Sequence, residues 1–218
     1  PWNKYGGGCY KMKKLLPLLL LILIGCSEPE PLNYGLLVER DGVHYRKDTN
    51  EIYSGPVFNI EGKSEGTLKK GKWNGPVKIY YENGQLSYEG TWKDSKEDGL
   101  SRRFNENGKL QEEITYKDGE LDGSYKSYHE NGQLQYEVTY KDDKRNGPYK
   151  WYYDNGKFKS EGTYKDGELD GSYKSFYENG QLRDEGTVKD DKRNGPWKSY
   201  HENGQLEGEE TYKDGDVI

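Results

Sequence analysis

The sequence predicts an all-β protein: an elongated, twisted antiparallel sheet of tandem 24-residue β-hairpins. Three observations indicate this fold. Asn-Gly pairs recur at one constant spacing, polar and apolar residues alternate on both sides of each pair, and the composition is rich in aromatic rather than aliphatic residues. Such a chain folds when each small unit buries its side chains against similar neighbours.

The repeat has a period of 24 residues without insertions. Asn-Gly pairs begin at Asn83, Asn107, Asn131, Asn155, Asn179 and Asn203, and a second series with the same period begins at Asn74, Asp98, Asp122, Asn146, Asp170 and Asn194. Six regular units therefore start at Asn74. A shorter, degenerate unit precedes them, so we expect seven repeats over residues 54–218.

An Asn-Gly pair between alternating segments favours a two-residue type I′ hairpin turn, in which both residues have positive φ. Folding the chain about Asn131-Gly132 places Lys126 opposite Glu137. A basic residue then faces an acidic one in every unit: Lys78/Glu89, Arg102/Glu113, Lys126/Glu137, Lys150/Glu161, Lys174/Glu185 and Lys198/Glu209. This agreement supports the register, although a β-bulge would shift one strand by a residue.

In this register Tyr125 and Leu134 lie on one face of the sheet, while Lys126 and Tyr128 lie on the other. The leucine slot is apolar in every unit: Leu86, Leu110, Leu134, Phe158, Leu182 and Leu206. We therefore expect the leucine slot and the Tyr125 slot to form a thin core together.

The N-terminal segment, residues 1–26, resembles a lipoprotein signal peptide that starts at Met12. Two lysines precede ten apolar residues, 15–24, which are too few to span a bilayer as a helix. The following Cys26 completes a sequence that resembles a bacterial lipobox, which implies cleavage before Cys26 and lipid attachment to its sulfur. Residues 1–11 are interpreted as upstream sequence.

Residues 27–53 are expected to form a polar tether and N-terminal cap strands. A serine, Ser27, follows the lipidated cysteine, and in this respect the sequence resembles lipoproteins that are sorted to the outer membrane. The predicted location is therefore the bacterial cell envelope, where the lipid on Cys26 anchors the protein in the outer membrane.

The repeat unit GxYKxYxENGQLxxEgTYKDGxxdG resembles the variant MORN repeat (membrane occupation and recognition nexus) of many bacterial proteins. The resemblance covers residues from about 54 to 218. It implies hairpins laid side by side, and a role in protein or lipid contacts and scaffolding. Some bacterial members are labelled antitoxin components, but that label assumes action in the cytosol, which the signal sequence argues against.

Charge excludes several partner classes. The net charge is −6, and residues 1–26 hold four of the 33 basic residues and none of the 39 acidic ones, so the remainder carries −10. Such a surface is repelled by the phosphates of nucleic acids and by anionic lipid headgroups. We expect no nucleic-acid binding.

Catalytic and metal-binding chemistry are not expected either. His129 and His201 occupy a slot that holds Tyr81, Asn105, Tyr153 and Tyr177 in other units, which indicates a packing or rim position. No nucleophile motif, phosphate-binding loop or metal-ligand cluster accompanies them, so we predict a non-enzymatic protein without cofactor or metal.

The candidate binding residues are an aromatic stripe on the charged face: Tyr80, Phe104, Tyr128, Tyr152, Phe176 and Tyr200. The alternative interpretation is that these rings only cover the sheet. As a binding surface, the stripe suits an unknown protein partner or, alternatively, a glycan such as peptidoglycan. A third hypothesis is an antitoxin-like partner that neutralises a toxin.

Overall fold

A computed structural model describes residues 30–59 and 62–218 and contains one long, twisted sheet of 18 strands that does not close on itself. The all-β prediction is confirmed. The signal segment, Met12 and Cys26 lie outside the described residues. A separate two-stranded hairpin and a short 3-10 helix, Tyr34–Leu36, lie near the N-terminal end.

The strands follow the chain in order. They are β1 (Leu32–Asn33), β2 (Leu37–Arg40), β3 (Val43–Arg46), β4 (Gly55–Phe58), β5 (Ser64–Lys69), β6 (Lys72–Trp73), β7 (Gly75–Tyr80), β8 (Leu86–Lys93), β9 (Lys96–Glu97), β10 (Gly99–Phe104), β11 (Leu110–Lys117), β12 (Glu120–Tyr128), β13 (Leu134–Lys141), β14 (Lys144–Tyr152), β15 (Phe158–Lys165), β16 (Glu168–Phe176), β17 (Leu182–Lys189), β18 (Lys192–Tyr200), β19 (Leu206–Lys213) and β20 (Asp216–Val217).

Sequential pairing builds the sheet. From β4 onward the pairing is antiparallel and follows the chain, except that β5 pairs with both β6 and β7 and β8 pairs with both β9 and β10. Strand β2 pairs with β3 in the separate hairpin. One pair differs from the antiparallel prediction, because β1 lies parallel to β4 and forms the N-terminal edge. The sheet is therefore mixed at that edge and antiparallel elsewhere in the described residues.

The predicted base–acid pairing is confirmed in all six units. Lys126 pairs with Glu137 and Arg102 with Glu113, and the other four pairs follow the same pattern. Neighbouring hairpins extend it, since Lys126 also pairs with Glu113 and Lys150 with Glu137. Bases and acids consequently alternate along the sheet, and we call the side that carries them the ladder face and the opposite side the ring face.

The turn at Asn131-Gly132 is not the predicted type I′ turn. The Gly132 amide donates to the His129 carbonyl and the His129 amide to the Gln133 carbonyl, each at 2.8 Å, and of the two turn residues only Gly132 has positive φ. This is a three-residue loop, a type I turn followed by a left-handed glycine. The Asn131 side chain accepts from the Gln133 amide instead of requiring positive φ itself.

Type I′ geometry occurs at the other turn of the repeat. Asp118 and Gly119 both have positive φ, at 50° and 91°, and Lys117 pairs with Glu120 across them. In the next unit Asp142 and Asp143 fill the same positions with φ of 48° and 62°.

The longer loop at Asn131-Gly132 carries a β-bulge that changes the face of the leucine slot. Tyr128 pairs with Leu134 while Ser127 pairs with Tyr136, so Gln135 has no opposing residue. Leu134 therefore lies on the ladder face beside Tyr128, and the expectation that the leucine slot joins the Tyr125 slot in one core is wrong. Phe158 shows the arrangement, with its ring stacked 5.1 Å from that of Tyr152.

The thin core lies on the ring face. Tyr149 and Trp197, which occupy the Tyr125 slot, are each 5% exposed, and Ile114, Val138 and Val188 are buried beside such rings. At the N-terminal end, a second cluster contains Leu37, Tyr53, Val57 and Leu68. His44 is buried at its border, where its ring nitrogens bond the Tyr34 hydroxyl and the Gly71 carbonyl.

Candidate binding surface

The aromatic stripe is half-buried on the ladder face. All six rings, Tyr80, Phe104, Tyr128, Tyr152, Phe176 and Tyr200, have intermediate exposure, so each covers the sheet with part of its surface and presents the rest to solvent. The alternation of side chains along the strand places Tyr128 on the same face as Lys126, as expected. The rings of the stripe are therefore neither buried in a core nor fully exposed to solvent.

A hydrogen bond fixes each tyrosine of the stripe. The hydroxyl donates to the ladder glutamate of the preceding unit: Tyr80 to Glu65, Tyr128 to Glu113, Tyr152 to Glu137 and Tyr200 to Glu185, at 2.8–3.1 Å. Burial, followed by the bonded carboxylate, raises the pKa of Tyr128 to about 12 and that of Tyr152 to about 12. These hydroxyls consequently remain protonated donors at physiological pH.

Phenylalanine interrupts this bonding at Phe104 and Phe176. In the first case Arg102 replaces the missing hydroxyl, since its guanidinium contacts Glu89 at 3.1 Å as well as Glu113 at 2.9 Å. The Arg102 hydrogen bond, with a contribution from the Tyr128 hydroxyl, holds the pKa of Glu113 below its usual value. At Phe104 the ladder glutamate therefore keeps a side-chain contact although the hydroxyl is missing.

A shallow depression recurs at one slot of the ladder face. It is lined by threonine, proline or serine, lysine and glutamate, as at Thr139, Pro148 and Lys150 with a volume of about 220 Å³. The equivalent depression two repeats further on has about 290 Å³ and contains Thr187 and Pro196. A larger one, about 810 Å³, surrounds Pro76 at the N-terminal end, where β1 ends the sheet. The face thus offers the same contact surface at several points.

The histidine slot links neighbouring repeats, in agreement with its predicted packing role. His129 Nε2 bonds the Tyr152 carbonyl at 3.0 Å, and the Tyr153 hydroxyl donates to the Phe176 carbonyl at 2.8 Å. Tyr81 and Tyr177 make the same bond to the following unit. Turn asparagines add a second link, because Asn131 Nδ2 donates to the Asp154 carbonyl.

Sequence reasoning missed an alternation with a period of two repeats. The second residue of the type I′ turn alternates between glycine and a polar residue, as in Ser95, Gly119, Asp143, Gly167 and Asp191. The polar side chain accepts a backbone amide of the preceding repeat: Asp143 from Leu121 at 2.7 Å and Asp191 from Leu169 at 2.8 Å. The alternation is visible in the printed sequence and would have predicted these bonds.

The part of the chain that the structure describes contains no cluster of metal ligands. Within residues 30–59 and 62–218, no group of three or more His, Cys, Asp or Glu side chains is placed to hold an ion. Over the same residues, no helix has the length and apolar character needed to cross a membrane. The predicted lipidation site, Cys26, falls outside them.

Comparison with known proteins identifies the repeats. A family model described as "MORN repeat variant" matches residues 73–94, 97–118, 121–142, 145–166, 169–190 and 193–214. A search of curated proteins finds no match. The six matched segments follow the period of the hairpins and together cover more than half of the chain, and this protein therefore belongs to the MORN repeat variant family.

Proposed function

We propose that this protein is a non-catalytic, lipid-anchored protein of the bacterial envelope whose repeats bind a protein partner along the ladder face. The observation that carries the proposal is the depression that recurs at the same slot of that face. A partner with an extended segment can occupy several such sites at once, and linked weak contacts add to a much higher overall affinity.

The surroundings of the depressions suit a protein segment. Lysines and glutamates alternate beside them, so a partner with both charges meets complementary groups, while threonine and proline offer neutral contact area. The rings of the stripe lie on the same face, and the Tyr152 hydroxyl bonds Glu137, which lines one of the depressions. A surface that is already ordered loses little conformational entropy on binding.

The proposed anchor is lipid on Cys26. It rests on the apolar residues 15–24 and on the cysteine that follows them. Residues 27–53 would then join the anchor to the repeats, and the outer membrane is the proposed location. The net charge of −10 over residues 27–218 keeps the sheet itself from adhering to anionic headgroups, which leaves it free to meet a partner.

A glycan is the second candidate partner. The half-exposed stripe favours it, because aromatic rings spaced along a rigid surface can each contact one face of a sugar ring. Peptidoglycan would be the corresponding envelope polymer.

Photo-crosslinking from the native envelope tests the ladder-face proposal. A crosslinking residue at Thr139, on the ladder face, is expected to capture one defined protein, while the same group at Ser127, on the ring face, captures none. Tyr128→Ala should weaken this crosslink and Tyr128→Phe should preserve it, since phenylalanine already fills the slot at Phe104. Capture from Ser127 alone, or an identical yield in Tyr128→Ala, would contradict the proposal. Saturable binding on a glycan array would favour the second candidate.

Membrane fractionation tests the anchor. Cys26→Ala is expected to release the protein from the membrane fraction, whereas the neighbouring Ser27→Ala should leave it in place. An unchanged distribution of the Cys26 variant would refute the lipid anchor.

A further inference from the structure

A cleft on the ring face has features of a ligand site that the proposed function does not use. It has a volume of about 290 Å³, and its lining includes Tyr136, Tyr140, Arg145, Trp151 and Tyr164. Arg145 is the one charged residue in this lining, and it is exposed. The cleft thus joins a cation to a wall of aromatic rings.

The guanidinium of Arg145 lacks the partner that such groups usually have. It lies over the rings of Tyr136 and Tyr164, and it donates to the hydroxyls of Tyr140 and Tyr164 at 3.3 Å, which is long for a hydrogen bond. Within residues 30–59 and 62–218, no carboxylate forms an ion pair with it. Arg102 and Arg183, in contrast, contact carboxylates at 2.8–3.1 Å.

The Tyr136 hydroxyl provides a second donor. Its oxygen is buried and has no hydrogen-bond partner, which costs free energy unless an acceptor is supplied. Burial raises the pKa of this hydroxyl, so it retains its proton. It can therefore donate to an oxygen atom that enters the cleft.

The corresponding slots two repeats earlier show which group is missing. Tyr88 takes the place of Tyr136, and its hydroxyl donates to Glu97 at 2.6 Å. Glu97 occupies the slot that Arg145 fills here. The tyrosine hydroxyl thus meets a carboxylate of the protein at Glu97, whereas at Arg145 the same slot holds a cation.

We propose that this cleft binds a small ligand that carries one carboxylate on a six-membered ring. The carboxylate would accept from Arg145 and Tyr136, since a guanidinium fork matches its two oxygens. The ring would rest against Trp151, which is 41% exposed and lies 5.3 Å from the Tyr136 ring. Lys159, whose Nζ lies 5.2 Å from the Trp151 ring, adds positive charge near the mouth.

A single negative charge fits this site better than a phosphate dianion. Arg145 is the sole cation in the lining, and the protein as a whole carries a net charge of −6, which repels multiply charged ligands. Two classes of ligand carry one carboxylate on such a ring: aromatic acids and sugar acids. Both share the carboxylate that the donors recognise.

Ligand-observed NMR titrations of the folded protein test the proposal. Benzoate and glucuronate are the two acids, and benzamide and glucose are their uncharged counterparts. We expect saturable binding of at least one acid in the low-millimolar range, with little binding of its uncharged counterpart. The acid that binds with the higher affinity identifies which of the two ligand classes the cleft prefers.

Variants distinguish binding in the cleft from nonspecific binding of the acids elsewhere on the protein. Arg145→Leu should weaken binding by about tenfold because a charged hydrogen bond is lost. The fold tolerates leucine in this slot, as Leu121 and Leu169 show. Tyr136→Phe removes one hydroxyl and should also weaken binding, whereas Arg193→Leu, in the same slot two repeats further on, should not. Absence of binding by either acid, equal binding of an uncharged counterpart, or equal loss in Arg193→Leu would overturn the proposal.

Discussion

Glycine occupies one ring-face slot in three of the six units, at Gly90, Gly162 and Gly186, and in each case an aromatic side chain crosses it. A Cβ added at Gly186 would overlap the ring of Trp197. Gly186→Ala should therefore lower the free energy of unfolding by about 2 kcal/mol, as expected when extra volume is forced into a packed site. Urea denaturation would measure the loss.

Gly208 provides the matched control. It also lies within a strand, but nothing lies within 4 Å of an added Cβ and its φ is not left-handed. Gly208→Ala should raise the stability by about 0.5 kcal/mol, because alanine reduces the freedom of the unfolded chain. Equal effects of the two substitutions would show that ring packing is not the reason for Gly186.

The lowered pKa of Glu113 leads us to expect that the stability of the protein depends on pH. The Arg102 hydrogen bond, and then that of Tyr128, lower the pKa of this carboxyl in the folded protein. A lowered folded-state pKa contributes stability that is present above the unfolded-state pKa and is lost as the pH falls through the folded value. Wild type should consequently be more stable than Glu113→Gln at pH 7, and the difference should shrink between about pH 5 and pH 3. A constant difference in urea midpoints over this range would refute the assignment.

Residue identity predicted some positions of the site and not others. His129 was predicted as a packing residue, since tyrosine fills the same slot, and it bonds the next repeat as tyrosine does. The half-burial of Tyr128 could not be predicted, because it depends on the bulge at Gln135, which brings Leu134 to the same face. A one-residue insertion in the pairing leaves no direct mark on the sequence.

At the scale of the element, the hairpin register was predictable and the turn type was not. Repeated base–acid pairs such as Lys126/Glu137 determine the register independently of the loop. Asn-Gly, however, is compatible with both a type I′ turn and a left-handed glycine after a type I turn. The choice depends on Asn131, whose side chain bonds both the Gln133 amide and the next repeat.

The alternating turns give a prediction at this scale. Asp143 has a left-handed φ of 62°, and its carboxylate accepts the Leu121 amide. Asp143→Ala should destabilise the protein by about 2 kcal/mol, since it combines a strained backbone with a lost acceptor.

Asp143→Gly relieves the backbone strain but still removes the acceptor. It should therefore lie between wild type and Asp143→Ala in urea denaturation. If the glycine variant were the less stable of the two, the backbone would not be the source of strain.

At the scale of the whole molecule, the repeat explains why so much of the fold could be predicted from the sequence. Each hairpin contacts its two neighbours, so one correct unit propagates along the sheet. The exceptions lie where the period ends: the parallel pairing of β1 with β4 and the cluster around Leu37 follow from residues outside the regular units.

Deleting two whole repeats tests this modular construction. Removal of residues 121–168 joins Glu120 to Leu169, and the segment that follows, LDGSYKS, is the same as the one removed after Glu120. Strand β16 then pairs with β11 in place of the nearly identical β12. The shortened protein should fold cooperatively, with a urea m-value that falls in proportion to the surface lost.

A deletion out of phase should fail. Removing residues 121–156 joins Glu120 to Lys157 and sets β15 against β11, although both strands carry the glutamate of the ladder and neither carries its lysine. The base–acid alternation and the links between repeats are then broken at the junction, so we expect aggregation or loss of the cooperative transition. If the in-phase protein failed to fold, or if the out-of-phase protein were equally stable, the 24-residue hairpin would not be the unit of this fold.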